Sequence, residues 1–286
     1  MERHVFSMQD LSYLVLATVI IFAVEFLTRR LKGASLRDYG VTAICILTNS
    51  AIMRPLAGAL VGSIIIFLVP QHAGALSELP LWITFPVIFA LCEFCFYWVH
   101  RWSHEAAAKP HSKWFWKLHR THHSADHLDV SITMRQNAFW AFVVPHTWIV
   151  AIALYLGQGE AAALAVIAIY AWNLFTHTNY CWDESLGKVS FLRPALRVFQ
   201  HIIITPMMHH AHHGFGGPDG KMYRNYAVTL AVYDWMFGTL HIPKGRPARY
   251  GVPEKKPHWA EEVFFPVVRI SPNKVTKTLV PEPSTD

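Results

Sequence analysis

Charge is scarce in this chain. Only 15% of its 286 residues are charged, against roughly 25% in a soluble domain. That shortage argues against an ordinary soluble globule and for a membrane protein. Cysteine is scarce too: Cys45, Cys92, Cys95 and Cys181 are the whole set, all in or beside apolar stretches. No disulfide framework follows from them. Cys92 and Cys95 form a CxxC inside a run long enough to span a bilayer, where small packing residues are expected rather than a redox or zinc pair. Also missing are a GxGxxG fingerprint, a flavin motif, a cytochrome domain, a low-complexity run and the Glu-x-x-His pattern of soluble di-iron bundles.

What the chain has instead is apolar length and histidine. Hydrophobic residues make up 53% of it, and 18 residues are histidine. Apolar runs of a length to cross a bilayer, ~20 residues, lie at about 11–28, 40–69, 81–99, 138–156 and 160–178. The second is long and carries Arg54-Pro55 in its middle, so a kink or a pair of half-helices is expected there. The first has no small-residue cleavage site and reads as a retained anchor.

Lysine and arginine are distributed unevenly. The 29–39 linker holds Arg29, Arg30, Lys32 and Arg37, segment 100–137 is basic, and so is the chain after 180; the 70–80 and 157–160 linkers hold none. The net charge of +6 therefore reads as membrane topology rather than as a nucleic-acid footprint. Positive charge on alternate linkers places them in the cytoplasm. The expected fold is all-α: a multi-pass membrane helical bundle of about four to five spanning helices with a cytoplasmic histidine-rich helical cap. Residues 1–80 read as an N-terminal transmembrane region. The Pro-, Lys- and Arg-rich stretch 244–286 reads as a loosely structured cytoplasmic tail.

Three histidine patterns stand out, all on that basic side. His100 and His104 form an HxxxH, whose members share a helix face. His119, His122 and His123 form an HxxHH, which fits within a ~100° arc of a helix. His209, His212 and His213 repeat HxxHH. Helical geometry alone would equally accept His209, His210 and His213; the match to 119–123, where Arg120 stands in the place of His210, favours the first set. His177 is a ninth candidate, with Asn173 four residues earlier to hold a water or hydrogen-bond a ligand. Two such triplets and a pair on one side are hard to reconcile with a solvated face. A bis-histidine haem site needs no adjacent pairs. Nine imidazoles exceed one four-coordinate zinc and suit two ions, and imidazole accepts Zn, Cu, Fe and Ni alike. Glu93 lies on the stripe 93, 97, 100, 104. An acid inside a spanning run faces the protein interior, and Glu93 is expected to accept the second ring N–H of a ligating histidine. Glu25, near the end of the first run, reads as interfacial.

These motifs resemble the fatty acid hydroxylase / sterol desaturase superfamily of membrane di-iron oxygenases. The resemblance covers about 85–250. It rests on Glu93, His100, Arg101 and His104; LHRTHHS (118–124) followed by Arg135; His177; Thr205, Pro206, His209, His212 and His213; and YRNYAVTLAVYDWMFGTLHIP (223–243) with Asn225, Asp234, Phe237, Gly238 and Thr239. Ala227 and Tyr233 depart from the usual glycine and tryptophan. The resemblance implies a catalytic domain over 81–243 with two Fe ions on the nine histidines, zinc standing in for iron in purified protein, and O2 as co-substrate. It implies hydroxylation or desaturation of a lipid: fatty acyl, sterol, alkylglycerol or aminolipid. Electrons are expected from an external donor such as a ferredoxin, a cytochrome b5-like protein or a reductase, docking at Lys113, Lys117 and Arg120. A bacterial inner membrane is the expected location, or the ER membrane if the source is eukaryotic, with the histidine cluster and the C-terminus cytoplasmic. The competing reading is a membrane zinc-dependent hydrolase or metal-handling protein using the same histidines.

Overall fold

The computed structural model describes residues 8–28, 30–31 and 33–270. Arg29 and Lys32 of the first basic linker and tail residues 271–286 lie outside the described residues. Helix α1 spans Met8–Leu27. Next come α2 (Leu36–Thr48), a π-helical turn (Asn49–Met53) and α3 (Arg54–Leu68). These three form one continuous apolar helix over Leu36–Leu68. The expected interruption at Arg54-Pro55 is thus absorbed: the Arg54 N–H bonds to the Asn49 carbonyl, five residues back. A π-turn there lets the helix pass a proline that has no N–H to give.

Helix α4 (Leu81–Glu105) is followed by α5 (Lys113–His123), α6 (Trp140–Val143), α7 (Pro145–Tyr155) and α8 (Gly159–His177). Among the described residues, three helices are long and apolar enough to cross a membrane: Leu36–Leu68, Leu81–Ala108 and Gly159–His177. The expected spans at 11–28 and 138–156 are not among them; in the first, the apolar helix Tyr13–Leu27 is shorter. Val144 is extended ahead of Pro145, as a residue before proline prefers, and the run breaks into α6 and α7. At ~1.5 Å per residue, α7 falls far short of a bilayer's ~30 Å core. Helices α4, α7 and α8 pack through Ala153, Ala161, Ala162, Ala165, Ile88 and Cys92; small residues let helices approach closely. The two linkers bare of Lys and Arg meet each other: Gly74 N–H bonds to the Tyr155 carbonyl and Leu76 N–H to that of Leu156. They sit at the start of α4 and α8, the end of the bundle away from the histidines.

Beyond α8 come α9 (Trp182–Gly187), α10 (Arg193–Ile202), α11 (Pro206–His213), β1 (Gly214–Gly216), β2 (Gly220–Lys221), α12 (Val232–Met236), β3 (Arg249–Tyr250) and α13 (Trp259–Phe264). The strands form a small antiparallel sheet in the order β2-β1-β3. Pro206 starts α11, where a missing N–H costs nothing. The Met207 N–H is taken by the Asp183 carboxylate at 3.1 Å, so a residue of α9 caps the helix that carries His209, His212 and His213. Gly214 ends it: a Cβ there would meet Pro247 at 2.1 Å.

Two expectations about the chain ends are corrected. As far as it is described, the stretch after 243 is packed rather than loose. Glu262 of α13 is buried and pairs with Arg37 (2.5 Å) and Arg135 (3.3 Å). Its carbonyl accepts from Thr121 and Asn137. A buried carboxylate needs such partners, and they tie α13 to α2 and α5. Glu25 is buried rather than interfacial: its carboxylate accepts from the N–H groups of Val130 and Asn179.

Candidate metal centre

Four helices end at one place. His100 and His104 lie in the last turns of α4, His122 and His123 close α5 with His119 a turn earlier, His177 ends α8, and His209, His212 and His213 lie on α11. Helix C-termini carry partial negative charge from unpaired carbonyls, which favours a cation there. All nine histidines are buried. They fall into two groups. His100, His104, His119, His123 and His212 bring ring nitrogens within 4.8 Å of one another, and so do His122, His177, His209 and His213. The groups adjoin: the rings of His123 and His213 stack with centroids 4.3 Å apart.

Hydrogen bonds fix the ring tautomers. His100 Nδ1 donates to the Tyr226 carbonyl at 2.6 Å and His212 Nδ1 to that of Arg224 at 2.7 Å. His177 Nδ1 donates to the Asn173 carbonyl at 2.8 Å and His122 Nδ1 to that of Arg135 at 3.3 Å. A carbonyl only accepts, so each neutral ring keeps a bare Nε2 lone pair. Yet the Nε2 atoms of His100 and His212 are 3.1 Å apart, and those of His122 and His177 are 3.3 Å apart. Lone pairs at that distance repel unless a cation lies between them. A shared proton is disfavoured: burial holds His122 down at about 4 and, with the neighbouring imidazoles, holds His119, His123, His209, His212 and His213 well below their usual range. Two nitrogens that each lie ~2.1 Å from one ion are at most ~4.2 Å apart, which the spacings seen satisfy. The donor set fits metal ions.

His210 stands outside both groups. Its Nε2 donates to the Thr178 carbonyl at 2.9 Å and its Nδ1 accepts from the Tyr250 hydroxyl at 2.6 Å. Asn173 meets the centre through its backbone carbonyl rather than its carboxamide. Glu93 touches no histidine. One of its oxygens accepts the N–H groups of Thr229 and Leu230 at 2.8 and 2.9 Å. These belong to an irregular segment that runs against α4 and would otherwise leave its donors unpaired. The expected donor-docking cluster is also reduced: Arg120 is buried against Glu254 at 3.3 Å, and Lys117 lies over the Phe265 ring and 3.9 Å from Glu261.

The residues that aim the histidines were not assigned that role from sequence. Asn225 adopts a positive φ of 56°, which asparagine tolerates better than most residues. That turn lies between Arg224 and Tyr226, whose carbonyls hold His212 and His100. The Asn225 amide donates to the carbonyls of Met208 and His241, and its oxygen accepts the His241 N–H. Asp234, held up at about 6 by burial, accepts from the N–H groups of Tyr226 and Ala227 and from the Thr239 hydroxyl. The signal was present as the YRNYA…D…T spacing. Ala227 keeps an ordinary backbone, so its replacement of glycine costs no strain.

The family model for fatty acid hydroxylase matches residues 85–239. Similar curated proteins include the alkylglycerol monooxygenases of Xenopus tropicalis, 26% identical over 60% of this chain and 32% of that protein, and of Homo sapiens, 28% identical over 52% and 28%. That of Danio rerio is 27% identical over 55% and 30%. The chain thus spans about a third of the length of these relatives and less than two thirds of any of them. No solved structure matches.

Proposed function

The chain belongs to the fatty acid hydroxylase family, and from that premise we propose that it is a membrane monooxygenase acting on a lipid. In this reading the two histidine groups hold two iron ions, and O2 and outside electrons serve to hydroxylate an unactivated C–H bond. The observation that carries it is the pair of adjoining all-histidine groups whose bare lone pairs face each other. The bound ions would supply the O2 chemistry. The chain's part is to hold and shield them. The carbonyls of Tyr226, Arg224, Asn173 and Arg135 keep each Nδ1–H fixed and turn each Nε2 inward. Ligand orientation of this kind is what partner groups provide at metal sites.

The walls are apolar. Trp140 lies 4.8 Å from His119, Trp116 5.1 Å and Tyr226 5.4 Å from His104, ring centroid to centroid. Such packing excludes water from the rings. The names of the relatives make an ether lipid of the alkylglycerol type the first substrate class to test. The electron donor is a separate redox protein. The basic linkers and the histidines lie on the cytoplasmic side of a bacterial inner membrane; the pairing of the two linkers bare of Lys and Arg at the far end of the bundle supports that orientation.

Lipid profiling of cells with and without the gene, grown under 18O2, tests the reading. A lipid gaining one labelled oxygen only when the chain is present is the expected result. An unchanged lipid profile with the protein present and metal-loaded would contradict it. Loss of two hydrogens without added oxygen would redirect it to desaturation.

A further inference from the structure

We propose that α10 and α12 sit in the membrane leaflet beside the metal centre, with an apolar arc among the acyl chains and a basic arc at the phosphates. Helix α10 shows three faces at ~100° per residue. Leu196 and Gln200 are buried against the protein. Arg193, Arg197 and His201 form a second arc. Ala195, Val198, Phe199 and Ile202 form a third, exposed and apolar, with Val198 64% and Ile202 51% accessible. Phe191 just before the helix is 79% accessible, and Trp235 and Met236 of α12 are 60% and 65%. His201 packs its ring on Trp235 at 5.6 Å, so the two helices share one surface. A helix with an apolar face and a basic polar face fits a bilayer interface, and arginines there favour anionic headgroups.

The depth of this surface selects the bilayer over a protein partner. Tyr233 of α12 donates to the Ala90 carbonyl at 3.2 Å, and Phe94 meets Tyr233 and Phe237. Ala90 and Phe94 lie midway along α4, a helix long enough to span. The exposed face of α12 therefore continues the lipid-facing surface of α4. Glu93, at the same level, pairs the N–H groups of Thr229 and Leu230, and irregular backbone survives at membrane depth only when so satisfied. From Ile202 the chain passes directly to Pro206 and α11, the helix that carries His209, His212 and His213. A lipid arriving from this leaflet meets α10 before the histidines.

The inference rests on the membrane reading of the spans and not on the metal. It is tested on the full chain carrying Cys95→Ala, reconstituted in nanodiscs of phosphatidylcholine and phosphatidylglycerol. Spin labels are placed singly through Val198→Cys, Ile202→Cys, Arg193→Cys and Arg197→Cys, with Leu60→Cys on exposed α3 as the reference. Collision with O2 is compared with collision with a water-soluble nickel chelate. Labels at 198 and 202 should favour O2, as at 60, and labels at 193 and 197 should favour the chelate. Chelate access at 198 and 202 equal to that at 193 and 197 would place the face in water and overturn the proposal. Shielding of 198 and 202 from both agents would show a protein cover, a second copy included, and also overturn it. Chelate access at 60 would overturn the membrane reading itself, whatever the metal content.

Discussion

Arg135 is fully buried, and its guanidinium is satisfied on all sides. Nε donates to the Thr121 carbonyl at 3.0 Å, Nη1 to the Asp38 carbonyl at 2.7 Å, and Nη2 to Ser124, Asp38 and Glu262 at 3.0, 3.4 and 3.3 Å. Its own carbonyl accepts from His122. Arg135→Met keeps bulk but takes one cationic partner from each of two buried carboxylates. Breaking a buried pair in this way costs ~3–5 kcal/mol. Asp38 retains Lys256 at 3.0 Å and Glu262 retains Arg37 at 2.5 Å, which argues for the low end, about 3 kcal/mol. At ~2–4 °C per kcal/mol, the thermal midpoint of the purified, metal-free chain in detergent should fall by about 6–12 °C. Adding Asp38→Asn and Glu262→Gln should recover part of that loss, because no buried carboxylate is then left short of a partner, while Arg37, 39% exposed, reaches water when it loses both of its own. A midpoint within about 2 °C of the parent would refute the view that this network clamps α5 between α2 and α13.

Three further outcomes follow from the same contacts. Glu93→Gln keeps an acceptor for the Thr229 and Leu230 N–H groups and should be mild, whereas Glu93→Leu leaves both unpaired and should cost about 1–3 kcal/mol for each; comparative thermal melts decide this, and equal losses would contradict it. Asn225→Ala loses three side-chain hydrogen bonds and strains the turn that presents the Arg224 and Tyr226 carbonyls, so elemental analysis should show metal lost first from the group containing His100 and His212. The metal-free chain should lose stability as pH falls. Histidine titrates near 6.5 when unfolded, and His122 is held at about 4 in the fold, so between those values the unfolded chain binds more protons. The stabilisation is complete above 6.5 and lost as pH falls through about 4; melting midpoints that stay flat across that window would contradict it.

Local spacing carried much of the site. The HxxxH and HxxHH patterns are helical addresses, and a helix repeats the same geometry wherever it occurs, so histidines that share a face could be recognised one motif at a time. The match between 119–123 and 209–213 likewise set His210 apart from its neighbours, and in the structure its ring bonds to Thr178 and Tyr250. Long-range pairing was not legible. Glu93 shares a stripe with His100 on α4, but what it meets depends on where residues 229–230 return, more than a hundred positions later. Glu25 read as interfacial because its partners, the N–H groups of Val130 and Asn179, lie on other elements. The break at Pro145 was written in the sequence, yet the apolar count across 138–156 outweighed it. Composition senses how greasy a segment is, while helix continuity at a proline depends on whether the chain re-pairs the groups that its missing N–H leaves free.

The proposed two-metal centre is tested most directly by metal content after anaerobic purification and iron loading. Two irons per chain are expected, one for each histidine group. His122→Ala should drop the count toward one by disabling the group with His177, His209 and His213, and His210→Ala should leave it at two. One tightly held zinc, no iron uptake and no O2 consumption on adding reductant would contradict the account, as would equal metal loss in the His122 and His210 variants.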